Sequence, residues 1–240
     1  MNIAIFDLDK TLISKDSGDI FSNYLCEKGL IVNLDEYKKQ IKIFANKYLE
    51  GDLDFLGYYR FAISSLPKMK ILDLNNLVLE FVKEKITPLV YHQSAHVLDQ
   101  HRKNSDVLLL ISATIDLLVL PIGDLLGFEK KNILAVQMEN KDGYYTGHIQ
   151  GNPSYGEGKV LRFNQWCEEN DFNLDSCKTY FYSDSINDLP LLEKVDYPFV
   201  TNPDKKLLKI AISKQWPVID MSQKTGKLHS VKTYQRDKIS

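Results

Sequence analysis

Short apolar runs alternate with helix-like segments along most of this chain, and this alternation constrains the fold more than any other feature. The first run, "NIAIF" (2–6), lacks polar alternation, which is typical of a strand covered on both faces of a parallel sheet. Further strand-like runs are "VLLLI" (107–111), "TYFYS" (179–183), "YPFVT" (197–201) and "WPVID" (216–220). Helical patterns occupy residues 92–104, 158–170, 188–195 and 204–215. Strands that alternate with helices predict a doubly wound α/β fold.

The segment from residue 16 to residue 88 departs from this rhythm, because it contains only helix-like stretches separated by Gly and Pro. We therefore predict a Rossmann-like core formed by residues 1–15 and 89–222, with an inserted all-helical cap at 16–88. A hairpin is predicted at 135–149, where Asp142-Gly143 supplies the turn. The polar, basic segment 223–240 is predicted to be a flexible tail.

The charge balance argues against two classes of partner. Thirty Lys and Arg face 32 Asp and Glu, so the net charge is −2 and gives no electrostatic case for nucleic acid or an anionic membrane. The three cysteines show no CxxC spacing, and the N-terminal apolar run is broken by Asp7 before a signal peptide could form. We expect unpaired thiols and a cytoplasmic protein. The oligomeric state is left open.

Acidic and hydroxyl side chains follow the predicted strands. Because ligands bind beyond the carboxyl ends of parallel strands, these side chains are expected to meet at one rim of the sheet. They are Asp7 and Asp9 after the first strand, Ser112 and Thr114 after the second, and Asp184 and Asp188 after the third, with Lys159 on the preceding helix. Crowded carboxylates repel each other, and oxygen-rich sites select a hard cation such as Mg²⁺. Lysine, the metal and a hydroxyl group would then suit phosphate chemistry.

Four motifs carry a resemblance to a known family. The stretch "DLDKT" matches the DxDx(T/V) signature of the haloacid-dehalogenase-like (HAD) phosphatases. "LLLIS" with "SAT", "GEGK" and "SDSINDLP" resemble the second, third and fourth motifs of that family, in the same order. The resemblance covers roughly residues 2–220, and the helical insert resembles the cap of the phosphoserine-phosphatase-like branch. It implies a Mg²⁺-dependent phosphatase that hydrolyses a small phosphorylated metabolite through an aspartyl-phosphate.

The resemblance also assigns the reacting and metal-binding residues. Asp7 would attack phosphorus, and Asp9 would protonate the leaving oxygen and then activate water. The Asp7 carboxylate, the Asp9 backbone carbonyl and Asp184 would hold Mg²⁺. Asp188 would bind the metal directly or through water.

The phosphate group has its own set of expected partners. Ser112, Ala113 and Lys159 would hold the transferring phosphate. Asn187 would help to hold it or would orient its loop, and Thr11 would orient the first loop.

Two cap residues bear on the substrate. Phosphoserine phosphatases carry a glutamate nine residues after the nucleophile, which meets the substrate amine, and here that position is Asp16. Their carboxylate-binding cap arginine aligns with Ala62, and the nearest arginine is Arg60. A two-residue shift on a helix turns a side chain by about 200°. The position of the arginine argues against phosphoserine, whereas histidinol phosphate or phosphoethanolamine needs an acid and no arginine. Asp16 favours an amino-bearing substrate of the phosphoserine, histidinol phosphate or phosphoethanolamine type.

Other interpretations are open at the level of sequence. A phosphotransferase or mutase could use the same aspartyl-phosphate, and a non-catalytic regulator could bind phosphate at the same residues. His92 and His96 have an i, i+4 spacing that could bind zinc, but we expect them, with His101, on a solvated helix face.

Overall fold

The computed structural model describes residues 2–31, 33–50, 52–65 and 69–223. Seven strands in this part of the chain form one sheet: β1 (Ile3–Phe6), β2 (Val107–Ile115), β3 (Ile133–Lys141), β4 (Tyr144–Gln150), β5 (Thr179–Ser183), β6 (Tyr197–Thr201) and β7 (Val218–Ile219). Their spatial order is β4-β3-β2-β1-β5-β6-β7. All neighbouring strands pair in parallel except β3 and β4, which form the antiparallel hairpin predicted from Asp142-Gly143. The doubly wound α/β fold is therefore confirmed.

Nine α-helices occur in the same residues. They are α1 (Ser17–Glu27), α2 (Leu34–Glu50), α3 (Phe55–Ser64), α4 (Ile71–Phe81), α5 (His92–Lys103), α6 (Asp116–Leu125), α7 (Glu157–Glu169), α8 (Leu189–Lys194) and α9 (Lys205–Lys214). A π-helical turn (Val82–Ile86) and a 3-10 turn (Thr87–Leu89) follow α4. None of the described helices is both long and apolar enough to cross a bilayer.

Strand β1 lies at the centre of the sheet and is buried on both faces. Phe6 packs in an apolar cluster with α1, α4, α5 and α6, whereas Ile3 and Ile5 pack on the other face with α7, α8 and α9. Burial of each such side chain contributes about 1.5–3 kcal/mol to folding. The unbroken apolar run 3–6 is explained by a strand that contacts helices on both faces of the sheet.

Every regular element described between residues 17 and 89 is helical. Phe21 of α1 and Val78 of α4 belong to the same apolar cluster as the sheet residue Phe6, so the helical segment packs continuously on the sheet. The division into core, cap and tail stays a prediction, and residues 224–240 of the predicted tail lie outside the described residues. The three cysteines are unpaired.

One expectation about α5 is wrong. His92 and His96 are exposed, as expected, but His101 is buried. Its Nδ1 lies 2.7 Å from Asp106 Oδ2, and its Nε2 lies 2.9 Å from the Tyr182 hydroxyl oxygen. The helix presents His101 to the sheet because residues 94, 97, 98 and 101 share one helical face.

Candidate active site

The sheet register gathers the ends of three strands at one rim. Ile3 of β1 pairs with Val107 of β2 on one side and with Thr179 of β5 on the other. The residues that follow these strands therefore lie side by side. Asp7, Ser112 and Asp184 all face one cavity of about 290 Å³.

Lys159 lies between two carboxylates at this rim. Its Nζ is 2.7 Å from Asp7 Oδ1 and 2.8 Å from Asp188 Oδ2, and its side chain is only 2% exposed. Burial by itself would lower the pKa of Lys159, but the charges of Asp188 and Asp7 outweigh it and raise that pKa above its ordinary value. Lys159 is therefore a fixed positive charge beside the proposed nucleophile.

Two small residues allow Lys159 to reach this position. A Cβ on Gly158 would collide with the backbone carbonyl of Pro153, so only glycine fits where α7 begins. In the same loop the Ser154 hydroxyl donates to the backbone carbonyl of Ser112. The loop that precedes α7 is thereby joined to β2, which bears another predicted phosphate ligand.

Asp184 is the least satisfied carboxylate of the rim. It is 8% exposed, and the hydrogen bond that the described residues give its side chain is a long one of 3.4 Å from the Thr11 hydroxyl. Burial first, and then the negative charges of Asp7 and Asp188, raise the pKa of Asp184 well above its ordinary value. Asp188 differs, because both Lys159 and the Ser183 hydroxyl (2.7 Å) donate to its Oδ2.

This geometry suits a cation that is bound by one or two carboxylates and by water or substrate oxygens. A buried carboxylate with a single long hydrogen bond, next to Asp7, would gain from a positive partner. No group of three or more His, Cys, Asp or Glu side chains converges as a ready-made metal site in the described parts of the chain. Mg²⁺ typically uses one or two carboxylates together with water and substrate phosphate, so Asp7 and Asp184 fit its requirements.

Asp9 has two neutral hydrogen-bond donors. The backbone N–H of Ser17 donates to Oδ1, and the Thr114 hydroxyl donates to Oδ2, each over 2.7 Å. Burial, followed by the negative charges of Asp16 and Asp7, raises the pKa of Asp9 to about 7. Burial likewise raises the pKa of Asp7 to about 6, against the opposing charge of Lys159.

Helices α1, α2 and α3 form the wall of the cavity that faces the sheet rim. This wall presents aromatic rings, among them Phe44, Tyr48 and Tyr58, and the acidic side chains of Asp16 and Asp19. Arginine is absent from the described residues that line the cavity, and their only cations are Lys10 and Lys159. The wall is thus apolar and acidic.

Tyrosine side chains connect this wall to the rim. The Tyr59 hydroxyl donates to the Ala113 backbone carbonyl over 2.6 Å, and Tyr59 is only 4% exposed. Tyr48 and Asn187 line the same cavity, and the Asn187 side chain acts on the Tyr48 hydroxyl. Two of the predicted phosphate-binding segments therefore contact α2 and α3 directly.

The structure brings most of the predicted site residues to this cavity. They are Asp7, Asp9, Asp16, Ser112, Ala113, Lys159, Asp184, Asn187 and Asp188. Thr11 does not line the cavity; it is fully buried beneath the sheet rim, between Asp184 and Thr201.

Arg60 is the predicted site residue that the structure places elsewhere. Its side chain is exposed, and its Nη2 lies 3.1 Å from His148 Nδ1 on β4. Gly147 of β4 lies beside Arg60 and has a φ of 85°, a backbone conformation that favours glycine. Ala62, the position aligned with the family's arginine, lines the cavity instead. The helical turn between residues 60 and 62 explains the difference.

Sequence reasoning missed three side chains of the site. The sequence pattern predicts only that Thr114 follows a strand, because its contact with Asp9 depends on the pairing of β1 with β2. Tyr48 and Tyr59 lie in helical patterns where aromatic residues are usually core packing. Its position two residues after Ser112 could have marked Thr114 as a site residue, but no local sequence signal marks the tyrosines.

Comparisons with known proteins agree with this geometry. A family model for haloacid dehalogenase-like hydrolases matches residues 4–193. A histidinol-phosphatase from Neisseria meningitidis serogroup C (strain 8013) is 41% identical over 221 residues, which cover 91% of this chain and 98% of that protein.

Solved structures give the same result. A protein of unknown function from Bordetella pertussis Tohama I has a TM-score of 0.85 at 34% identity, covering 92% of this chain and 98% of that chain. A substrate-bound phosphoserine phosphatase has a TM-score of 0.63 at 18% identity, covering 87% and 89%, and shares the fold. The chain belongs to the haloacid dehalogenase-like hydrolase family and is a phosphatase with the fold of the phosphoserine phosphatases.

Proposed function

We propose that this phosphatase is Mg²⁺-dependent, that it works through an aspartyl-phosphate on Asp7, and that histidinol phosphate is its substrate. The observation that best supports this reaction is the contact of Lys159 with Asp7 and Asp188 in the cavity. A cation in that position stabilises the charge of a transferring phosphoryl group. It also keeps the neighbouring Asp7 ionised for attack.

Mg²⁺ would be held by Asp7, the Asp9 backbone carbonyl and Asp184, with Asp188 nearby. When bound, the metal would neutralise the crowded carboxylates and the phosphate oxygens. Asp7 then attacks phosphorus, while Asp9 gives its proton to the leaving oxygen and later takes one from water. Ser112 and the Ala113 backbone contribute hydrogen bonds to the phosphate. Asn187 helps to hold the phosphate or orients its own loop.

The substrate assignment rests on the wall opposite the rim. Histidinol phosphate carries an ammonium group and an imidazole ring but no carboxylate. Asp16 and Asp19 supply negative charge for the ammonium group, and the aromatic rings supply stacking surfaces for the imidazole. Phosphoserine has a carboxylate, and the described cavity residues offer no arginine to bind it. The name of the 41% identical Neisseria relative supports the same substrate.

The test is phosphate release from histidinol phosphate, phosphoserine and phosphoethanolamine, each with MgCl₂ and with excess chelator. We expect the highest kcat/KM for histidinol phosphate and loss of turnover with chelator that added Mg²⁺ restores. Equal or better turnover of phosphoserine would contradict the substrate assignment. Full activity in chelator would contradict the metal requirement.

A further inference from the structure

The carboxyl group of Asp9 is held from two sides. Ser17 donates its backbone N–H to one oxygen, and Thr114 donates its hydroxyl to the other, each over 2.7 Å. The Ser17 donor belongs to the first turn of α1, whereas Thr114 belongs to β2 across the cavity rim. The two donors therefore fix both the position and the rotation of the carboxyl group.

Thr114 also contacts the predicted phosphate-binding residue Ser112. The Thr114 backbone N–H donates to the Ser112 hydroxyl over 3.1 Å. One residue thus connects the side chain that would hold the phosphate with the side chain that would protonate the leaving oxygen. Both distances depend on the same segment of β2.

The neutrality of this donor matters for a group that must change its protonation state. A lysine or arginine beside Asp9 would hold it ionised, because an opposite charge favours the charged form of a carboxyl group. A hydroxyl group orients the carboxyl by a hydrogen bond without adding charge. The side-chain charges with the largest effect on Asp9 are those of the acids Asp16 and Asp7, and its hydrogen-bond donor across the rim is a neutral hydroxyl group.

We propose that Thr114 is a positioning residue for the phosphoryl-transfer step, in that its hydroxyl aims the Asp9 carboxyl group at the leaving oxygen. This inference rests on the proposed function. In the step concerned, the bond from Asp7 oxygen to phosphorus forms and the bond from phosphorus to the ester oxygen breaks. The Asp9 proton moves to the ester oxygen, so the alcohol leaves neutral and Asp9 becomes a carboxylate.

The step makes a specific kinetic prediction. An alkyl phosphate needs a proton on its leaving oxygen, whereas p-nitrophenyl phosphate has a stable phenolate leaving group and needs little help. kcat/KM reports the first irreversible step, which includes departure of that group. Loss of the Thr114 hydroxyl should therefore impair the alkyl substrate far more than the aryl one.

The experiment compares Thr114→Val with the wild-type chain on histidinol phosphate and p-nitrophenyl phosphate. We expect kcat/KM for the alkyl ester to fall about 10-fold, as for one lost hydrogen bond to a reacting group, and for the aryl ester to change less than about 3-fold. Thr114→Ser keeps the hydroxyl and should restore most of the loss. Thr146→Val removes an exposed threonine hydroxyl on β4 and should change neither substrate.

Three outcomes would overturn the inference: equal losses on both substrates, no loss on the alkyl ester, or a serine variant as impaired as valine. Thr114→Ala replaces the valine variant if thermal unfolding shows that valine disturbs the fold. Asp9→Asn separates this inference from the proposed function. If Asp9→Asn strongly prefers the aryl ester and Thr114→Val does not, only the role of Thr114 fails. If Asp9→Asn shows no such preference, the acid role of Asp9 fails and the inference fails with it.

Discussion

The two walls of the cavity are built in opposite ways. On the sheet side, Asp7, Lys159 and Asp188 are buried charges, and Lys159 Nζ lies 2.7 Å from an Asp7 oxygen and 2.8 Å from an Asp188 oxygen. On the side of α1, α2 and α3, aromatic rings dominate, Asp16 and Asp19 bring negative charge, and the described residues that line the cavity include no arginine. The difference supports our proposal that the reaction takes place at the sheet rim and that the helical wall selects the substrate.

The largest effect that would test this division is loss of the nucleophile. Asp7→Asn keeps the shape of the side chain but removes its charge, so we expect turnover of every phosphate ester to fall at least about 10³-fold. Steady-state phosphate release measures it, with Asp124→Asn on the exposed surface of α6 as the matched control. Substantial activity of the Asp7 variant on any ester would refute the assignment of the reaction to the rim.

Removal of the buried cation should come next. Lys159→Met leaves Asp7 and Asp188 without their shared partner, and breaking a buried ion pair costs about 3–5 kcal/mol. We expect a clear fall in the urea midpoint together with loss of activity. Lys214→Met removes an exposed pair with Glu193 and should change the free energy of unfolding by less than about 1 kcal/mol. Similar shifts in the two variants would mean that the rim charges are not specially coupled.

Asp16 tests the helical wall. Asp16 also caps α1 by accepting from the Asp19 backbone N–H over 3.0 Å, and asparagine caps equally well, so Asp16→Asn isolates the charge. We expect KM for histidinol phosphate to rise about 10-fold, which corresponds to about 1.4 kcal/mol, with kcat little changed. For p-nitrophenyl phosphate, which has no amine, both constants should stay close to wild type. A loss common to both substrates would place Asp16 with the reaction machinery.

Tyr59 tests the connection between the two walls. Tyr59→Phe leaves the Ala113 carbonyl without its hydroxyl donor, and an unsatisfied buried acceptor costs about 1–3 kcal/mol. We expect a lower Tm and a several-fold rise in KM for every phosphate ester, because Ala113 belongs to the predicted phosphate-binding segment. Tyr197→Phe, at an exposed tyrosine of β6, is the control. An unchanged Tm would mean that the two walls pack independently of this bond.

The smallest expected effect is on stability, and it concerns Asp196, a carboxyl group outside both walls of the cavity. Burial raises the pKa of Asp184 at the rim, whereas hydrogen bonds from Thr179, the backbone N–H first, lower the pKa of Asp196 below its ordinary value. The ionised Asp196 therefore contributes stability above about pH 4, and this contribution is lost as the pH falls through the lowered pKa.

Asp196→Asn should accordingly reduce the urea midpoint slightly at pH 7, and the difference from wild type should shrink in acid. Urea melts at pH 7, 4 and 3 measure this change. A difference that grows toward acid would contradict the lowered pKa.

The residues of the sheet rim could be predicted from the sequence, because the pattern that identifies them spans only a few neighbouring residues. Each acid or hydroxyl follows an apolar run, and the parallel arrangement then brings the strand ends together. The helical wall was harder, because helical periodicity tells which residues share a face without telling where the helix lies. Arg60 and Ala62 are two residues apart in one helix, and only the packing of α3 beside β4 decides that Ala62 meets the cavity. The prediction for His101 was wrong because a polar residue in a helical pattern is usually exposed. Its buried partners Asp106 and Tyr182 are distant from the helical pattern in the sequence or lie beyond its end.

Gly158 shows how a residue without chemistry of its own can limit what the enzyme tolerates. The atom that a larger residue would strike is the carbonyl of Pro153, which is backbone and cannot swing aside as a side chain could. Any substitution would therefore push the first turn of α7 outward and carry the adjacent ammonium group away from both carboxylates. For anyone re-engineering this catalyst toward new esters, substitutions belong among the wall residues that do not bond the rim, whereas position 158 should be left unchanged.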